Sequence, residues 1–495
     1  MIENFIAGSV SLFGDPFTIG IFIFGVIGGM LFGAIPGVSM LTLAAILLPF
    51  TANLEPAQGV MLFAVIYCTG TYGGAITAIL FNIPGAPENA PTAFDGYPMT
   101  RNGQSGKAVG AAVLCSAIGG LSSAIVMMAA TEPLAKWAIS NIGPPEIFAL
   151  VFFGLAVASS VGGRTIWKGW MSVLLGLIIA TIGQDPVGGI NRYNFGFSDL
   201  AAGIAFVPAI LGFFAVSEIF VQAEKKAIGM YKAPKVSMEF PTMVELWKHK
   251  IAVVRSILVG FFCGILPGIG ATLAAFMGYG EAVRWSKNKD SFGKGNIEGV
   301  ISSETANNAA TGAAMIPLLA LGLPGGALTA MMVAVFQMHD LEPGPMVFYN
   351  SPELIWIVFA AMFYANLSIL FIGLLETKTI LHLLKIPFQF LAPMILLLAS
   401  IGSYIGRGLV LDVIVMFVSG IMGFLLRRSG YSIPGIVLGI ILGKIGEQNF
   451  AQGMQMVHYD VLEYLSRPIC LLLIIAGSLT ILTGVYKALS FSIKS

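Results

Sequence analysis

The run SSETANNAATG, residues 302 to 312, is unusually polar for its place just ahead of an apolar segment. Ser303, Glu304, Thr305, Asn307, Asn308 and Thr311 bring hydroxyls, amides and one carboxylate that could line a cavity. A carboxylate inside a bilayer is costly enough to mark a functional position, although Glu304 also suits a helix start at the interface. Asn307 and Asn308 sit deeper, where their amides need partners or a ligand. A second source of chemistry is the backbone. GAIPGVSMLTLA (33–44) and GILPGIGATLAA (264–275) place Pro-Gly inside runs that otherwise read as membrane helix. Proline removes a donor and obstructs an earlier carbonyl, and glycine lets the chain turn. A half-helix that starts after such a break presents free amides to an anion, and one that ends before it presents carbonyls to a cation.

Pro-Gly occurs again at Pro84-Gly85 and Pro324-Gly325. The residues expected at the anion site are therefore Pro36, Gly37, Ser39 and Thr42, with Pro84 and Gly85. Pro267, Gly268, Gly270 and Thr272 come from the second copy, with Asn307, Asn308 and Thr311, and with Pro324 and Gly325. Glu304, Asn307 and Ser39 are the candidates for a coupling cation. Glu88, Asn89 and Asp95 follow the first of these downstream breaks, where Asp95-Gly96-Tyr97-Pro98 reads as a loop turn. Asp412, inside GLVLDVIVMF, calls for a structural partner, and Arg164 and Arg407 read as orientation charges at membrane ends. No catalytic or metal-binding set is expected: His249, His339, His382 and His458 are scattered, and Cys68, Cys115, Cys263 and Cys470 read as small buried residues.

The elements that position these groups follow from composition. The 495 residues are 57% hydrophobic and 10% charged, with apolar runs such as 110 to 130 and 468 to 486. The expectation is an all-α polytopic membrane protein in one helical bundle. A net charge of +1 with no basic stripe gives no sign of nucleic-acid binding, and the acidic N-terminus does not read as a signal peptide. Expected crossings are 57–100 (broken), 107–130, 145–161, 168–184 and 199–222. In the second half they are 300–338 (broken), 355–376, 388–403, 409–426, 431–446 and 464–486, making about 11 plus two hairpins.

Lys225, Lys226, Lys232, Lys235, Lys248, Lys250 and Arg255 precede the second Pro-Gly block, and Arg284, Lys287, Lys289 and Lys294 follow it. A re-entrant hairpin leaves both basic loops in the cytoplasm. The first block is flanked by Glu3, Asp15 and Glu55 and enters from outside. Lys136, Arg192, Arg407, Lys444 and Arg467 fall on or near the outer side and the other basic residues inside. The N-terminus is then outside and the C-terminus inside. Gly29, Gly33, Pro36, Gly37 and Ala44 recur at the spacing of Gly260, Gly264, Pro267, Gly268 and Ala275. TYGGAITAILFNIPG (71–85) likewise aligns with TGAAMIPLLALGLPG (311–325). An odd number of crossings between the hairpins makes this an inverted-topology repeat. Residues 1–222 form the first repeat with its hairpin at 17–50, and 223–250 form a basic cytoplasmic linker. Residues 251–495 form the second repeat with its hairpin at 251–280.

YGGAITAILFNIPG with DGYPM after it, and GILPGIGATLAAF with ETANNAATGAAMIPLLALGLPG, resemble the large membrane subunit of tripartite tricarboxylate transporters, the TctA family. The resemblance runs through essentially the whole chain. It implies a secondary transporter of the bacterial inner membrane, driven by an ion gradient (Na+ or H+) and without another cofactor. It also implies a small membrane subunit, a periplasmic solute-binding protein that delivers the carboxylate, and possible homodimerisation. No nucleotide-binding loop of the G-x-x-x-x-G-K-[ST] type is present, as such a transporter requires. The competing classes are a membrane-embedded enzyme on a lipid-type substrate, which lacks the usual Asp, His or Arg cluster, and a passive anion channel.

Overall fold

The computed structural model describes residues 1–35, 39–161, 166–185, 188–224, 241–266, 270–383 and 388–492. The first half opens with α1 (Ile2–Gly14), α2 (Pro16–Ala34) and α3 (Met40–Leu47). Next come α4 (Pro56–Phe81), α5 (Ala90–Arg101), α6 (Ser105–Asn141), α7 (Pro144–Val161) and α8 (Ile166–Ala180). A short antiparallel pair, β1 (Gly183–Gln184) and β2 (Asn191–Arg192), interrupts the helices. Then α9 (Phe206–Ile210) passes through a π-helical turn, Leu211–Val216, into α10 (Ser217–Glu224). After α11 (Met243–Lys248), the second half runs α12 (Lys250–Ile265), α13 (Gly270–Trp285), α14 (Ile297–Leu321) and α15 (Ala327–Met338). It continues with α16 (Val347–Asn350), α17 (Pro352–Leu383), α18 (Phe388–Ile405) and α19 (Val410–Arg428). The last helices are α20 (Ile433–Met456), α21 (Val461–Ser466) and α22 (Pro468–Ser492).

This is an all-α polytopic membrane protein. Among the described residues, seven helices are long and apolar enough to cross a bilayer. They differ in depth: the Pro56–Phe81 span is wholly buried in protein, and the Pro468–Tyr486 span is only 17% buried. The first therefore belongs to the core and the second to the lipid-facing rim. α14 is less apolar because of its polar run, and that run lies inside the protein: Gly299 through Ala320 are all buried. Peripheral helices turn large apolar side chains outward, such as Leu258 and Phe262 of α12 and Ile414, Val418 and Ile421 of α19. Such surfaces suit hydrocarbon as solvent.

Two arrangements surround the core. α6 lies along α14, and α17 lies along α4. α20 packs on α7 and α8, while the π-helical turn and α10 pack on α19. Each half thus lends a helix to the other. Glycines make the closest approaches. A Cβ on Gly29 or Gly33 would overlap atoms of Thr69 or Gly70, and one on Gly264 would lie 2.6 Å from the Ala310 carbonyl oxygen. The Gly29–Gly33 and Gly439–Gly443 spacings are helix packing of this kind.

The outer ends of each pair of helices around the upstream Pro-Gly segments meet one neighbouring helix. Thr18 of α2 accepts a hydrogen bond from Gln58 Nε2 at 3.0 Å, and Thr51, beyond α3, lies against the neighbouring Gly59. The two arms therefore share the start of α4. In the second copy His249 Nδ1, just before α12, is 3.9 Å from Glu298, and Ser286, just after α13, donates to the same carboxylate at 3.1 Å. Both arms share the start of α14.

Helix ends gather on two opposite faces. On one, Lys107 pairs with Glu245 at 3.3 Å, Lys168 donates to the Ser429 carbonyl at 2.6 Å, and Arg427 pairs with Glu218. On the other, Arg192 pairs with Glu447 at 2.5 Å, and Arg467 with the buried Glu146 at 2.5 Å. Arg407 pairs with Asp412 and donates to the Gly203 carbonyl. Asp412 thus has the structural partner its position requires. The Thr242 amide, followed by the Lys107 ammonium, holds the Glu245 carboxyl below its usual range. All four cysteines are free and buried.

Three readings need correction. Asp95-Gly96-Tyr97-Pro98 is no loop turn: α5 runs through it with Pro98 inside the helix. Asp95 is fully buried and accepts from Tyr279 Oη at 2.8 Å and from the Gly295 and Asn296 amides at 2.9 and 2.8 Å. Tertiary burial of these donors outweighs the local turn preference of the four residues. Asp95→Ala leaves them unpaired and should cost about 3 kcal/mol or more, read as a lower unfolding midpoint in detergent. α6 extends past Glu132 and Pro133 to 37 residues, about 55 Å at helical rise, well beyond the expected 107–130. The expected 168–184 crossing ends before Gly183, which enters β1. Arg164 lies outside the described residues.

Candidate functional site

The two downstream breaks have the same local cause. α4 ends at Asn82 in a left-handed conformation (φ 58°), and the Asn82 and Ile83 amides donate back to the Ala78 and Thr77 carbonyls. α14 ends at Gly322 (φ 74°), and the Gly322 and Leu323 amides donate to the Leu318 and Pro317 carbonyls. A left-handed residue closes each helix, and the proline two positions later prevents its resumption. Asn82-Ile83-Pro84-Gly85 and Gly322-Leu323-Pro324-Gly325 are thus two versions of one stop signal.

The first break is where the other elements meet. A Cβ on Gly85 would overlap the Gly33 carbonyl oxygen of α2 and lie 2.7 Å from Gly74 Cα. Glu88 Oε2 accepts from Thr272 of α13 at 3.4 Å, and the Glu88 carbonyl accepts from Asn307 Nδ2 at 3.4 Å. Gly270, at φ +61°, opens α13 beside Gly325 and Gly326; a Cβ there would lie 3.8 Å from each. The first turn of α13 therefore stands between the two breaks. Ser39 caps α3, its carbonyl accepting the Thr42 and Leu43 amides, and Thr42 is buried. Pro36, Gly37, Pro267 and Gly268 lie outside the described residues.

Glu304 sits eight residues into α14 and is fully buried, so the interfacial helix-start alternative is excluded. Its Oε1 accepts from Thr92 Oγ1 at 2.5 Å and Asn307 Nδ2 at 3.4 Å, and its Oε2 from Ser116 Oγ at 3.0 Å. Asn308 Nδ2 donates to the Glu304 carbonyl at 3.1 Å and to Asn307 Oδ1 at 2.8 Å. Thr311 Oγ1 donates to the Asn308 carbonyl at 2.8 Å. Neither Glu304 nor Glu88 belongs to an ion pair among the described residues. Two buried acceptors of the same neighbourhood, Asn89 Oδ1 and Asn308 Oδ1, have no donor. The cluster is rich in acceptors and poor in positive charge. A buried carboxylate without a positive partner carries a desolvation cost of several kcal/mol. A proton or a cation liganded by these oxygens relieves it.

The cluster holds Glu304, Asn307, Asn308 and Thr311 in a fully packed setting. Ser39, Pro84 and Gly85 instead line a cavity of about 570 Å³, bounded opposite by Glu218, Gln222 and Arg427. Gly270 and Thr272, at the start of α13, reach the second and the first break respectively, and Pro324 and Gly325 form the second break. The expected set is thus divided into a sealed polar cluster and an open cavity, joined through the first break. Thr92 and Ser116 were not expected. Hydroxyls in apolar helices are common, and only the packing of α5 and α6 on α14 brings these two onto Glu304.

The model of the Tripartite tricarboxylate transporter TctA family matches residues 19–438. The uncharacterized 52.8 kDa protein in the TAR-I ttuC' 3' region of Agrobacterium vitis is 35% identical over 471 residues, covering 95% of this chain and 93% of that protein. The uncharacterized protein in the TAR-II ttuC' 3' region of Agrobacterium vitis is 37% identical over 236 residues, covering 48% of this chain and 96% of its own. No solved structure matches.

Proposed function

Because this chain belongs to the tripartite tricarboxylate transporter TctA family, we propose that it carries an organic carboxylate, of the tricarboxylate or dicarboxylate class, across the bacterial inner membrane. Uptake is driven by a gradient of Na+ or H+. A periplasmic solute-binding protein supplies the carboxylate, and a small membrane subunit assists. The face that gathers Lys107, Lys168 and Arg427 is cytoplasmic by the positive-inside rule. α2–α3 and α12–α13 are then re-entrant hairpins from opposite sides, as in an inverted repeat.

The observation that carries this reading is the buried carboxylate of Glu304, outside every ion pair among the described residues and surrounded by the hydroxyls of Thr92 and Ser116 and the amide of Asn307. The cation loads there first. Its positive charge, next to the Glu88 turn, favours an organic anion in the cavity beside Ser39, Pro84 and Gly85. Movement of the hairpin-bearing core against the remaining helices then changes the side to which the cavity opens. α13 touches both breaks, so loading at one site is felt at the other.

The test is uptake by proteoliposomes containing this chain, the small subunit and the binding protein. Carboxylate should accumulate above its external concentration under an imposed Na+ or pH gradient and stop when the gradient collapses. Equilibration without accumulation would identify a passive channel and overturn the reading. Asn308→Ala removes two hydrogen bonds that hold the Glu304 turn and an orphaned acceptor. It should lower uptake about tenfold or more while the protein remains folded in detergent. Wild-type transport by this variant would remove Asn308 from the site.

A further inference from the structure

The two breaks have unlike surroundings. Leu323 of the second break is buried in an apolar cluster with Val151 and Leu442. The first break instead faces the cavity of about 570 Å³, within the roughly 300–1,000 Å³ of small-molecule sites. Opposite Ser39 and Gly85, its wall is polar: Glu218 and Gln222 of α10, Arg427 of α19, and Tyr431 beyond it. The π-helical turn Leu211–Val216 leads directly into α10, whose second residue is Glu218, and sets its register on this wall. Arg427 and Glu218 form an ion pair at the cavity, with side chains 31% and 16% exposed. The sequence presents Arg427 only as a charge at a cytoplasmic end.

We propose that Arg427 binds a carboxylate group of the transported anion in this vestibule, and that Glu218 occupies the guanidinium when the vestibule is empty. The proposal rests on the transport reading above and deepens it by naming the anion's counter-charge. A planar guanidinium recognises carboxylate geometry through two parallel hydrogen bonds, which a point charge does not. Glu218 presents the same chemical group as the substrate. Exchange of one carboxylate for another on Arg427 keeps the cation paired throughout, so a bound anion leaves without exposing a bare charge in the half-buried wall. The break supplies the approach from the membrane interior, through Pro84 and Gly85, and Arg427 stands on the way toward the basic face.

A simple bridge between α10 and α19 is the competing role, and the two separate by the sign of paired substitutions. The experiment is carboxylate counterflow in proteoliposomes of the full assembly, with the half-saturating concentration and the unfolding midpoint measured for each variant. Arg427→Gln should raise the half-saturating concentration about tenfold or more, and Glu218→Gln, which removes the internal competitor, should lower it severalfold. Arg427→Lys should recover only part of the loss. A bridge alone predicts lower stability for both neutral variants and the same half-saturating concentration; that result overturns the proposal. Should Arg427→Gln fail to fold, Glu218→Gln decides: a gain in affinity supports the proposal and its absence refutes it. Wild-type protein that moves no carboxylate sinks the transport reading and this proposal together. Wild-type transport with unaltered variants sinks this proposal alone.

Discussion

Glu304→Gln abolishes gradient-driven uptake and leaves the protein folded. The amide keeps the shape of the side chain: its oxygen still accepts from Thr92 and Asn307, and its NH2 donates to the Ser116 hydroxyl, which turns from donor to acceptor. Only the negative charge is removed. Loss of a buried charge from its cation costs about 3 kcal/mol, which corresponds to a fall of about 100-fold or more in uptake at fixed gradient. Neutralisation also removes the desolvation cost of an unpaired charge, so the unfolding midpoint of the cation-free protein should rise or stay level. The two readouts move in opposite directions, unlike those of an ordinary core lesion. Initial rates of carboxylate uptake, with thermal unfolding in cation-free buffer, check both. A variant that transports normally would remove Glu304 from coupling.

Gly85→Ala should be the most damaging single methyl group at the breaks. Its Cβ overlaps the carbonyl oxygen of Gly33 and crowds Gly74 Cα, and backbone cannot rotate away as a side chain can. Either α2 withdraws from the break or the break shifts, and the cavity beside Ser39 is deformed in both cases. Overpacking of this kind costs about 3 kcal/mol, enough to lower the unfolding midpoint by several degrees and to abolish uptake. Gly326→Ala provides the contrast. Gly326 has extended backbone at φ −169°, and its added Cβ meets nothing nearer than 3.6 Å, from Gly270 Cα. Its unfolding midpoint should match wild type. Comparable loss of stability in both variants would contradict the claim that close backbone contact at Gly85 is what joins the first hairpin to the first break.

What the sequence made legible was local. Pro-Gly inside an apolar run reads as a helix stop, and both downstream breaks lie where Pro84 and Pro324 place them. Glu304 stood out because a carboxylate in an apolar run has a large transfer cost. Thr92 and Ser116 were hidden because their importance depends on which helices pack on α14, and hydroxyls carry no comparable cost. Asp95 was misread for the opposite reason: its neighbours Gly96 and Pro98 are turn formers, but the donors of residues 279, 295 and 296 arrive from the other half of the chain. Likewise the apolar run placed the crossing at 107–130, and the helix continues through Glu132 and Pro133 to Asn141. Arg427 read as a topological charge, since nothing local shows that α10 and the first break enclose a cavity beside it. Local stop signals survive translation into structure, and tertiary partners do not announce themselves.

Coupling requires a cation at the Glu304 cluster before the carboxylate is engaged. Charge movement in the reconstituted protein on a solid-supported membrane, after a Na+ or H+ concentration jump with no carboxylate present, tests this directly. Wild-type protein should give a saturable transient current that is absent in Glu304→Gln. An identical transient in both proteins would show that the cation binds elsewhere and would contradict this requirement.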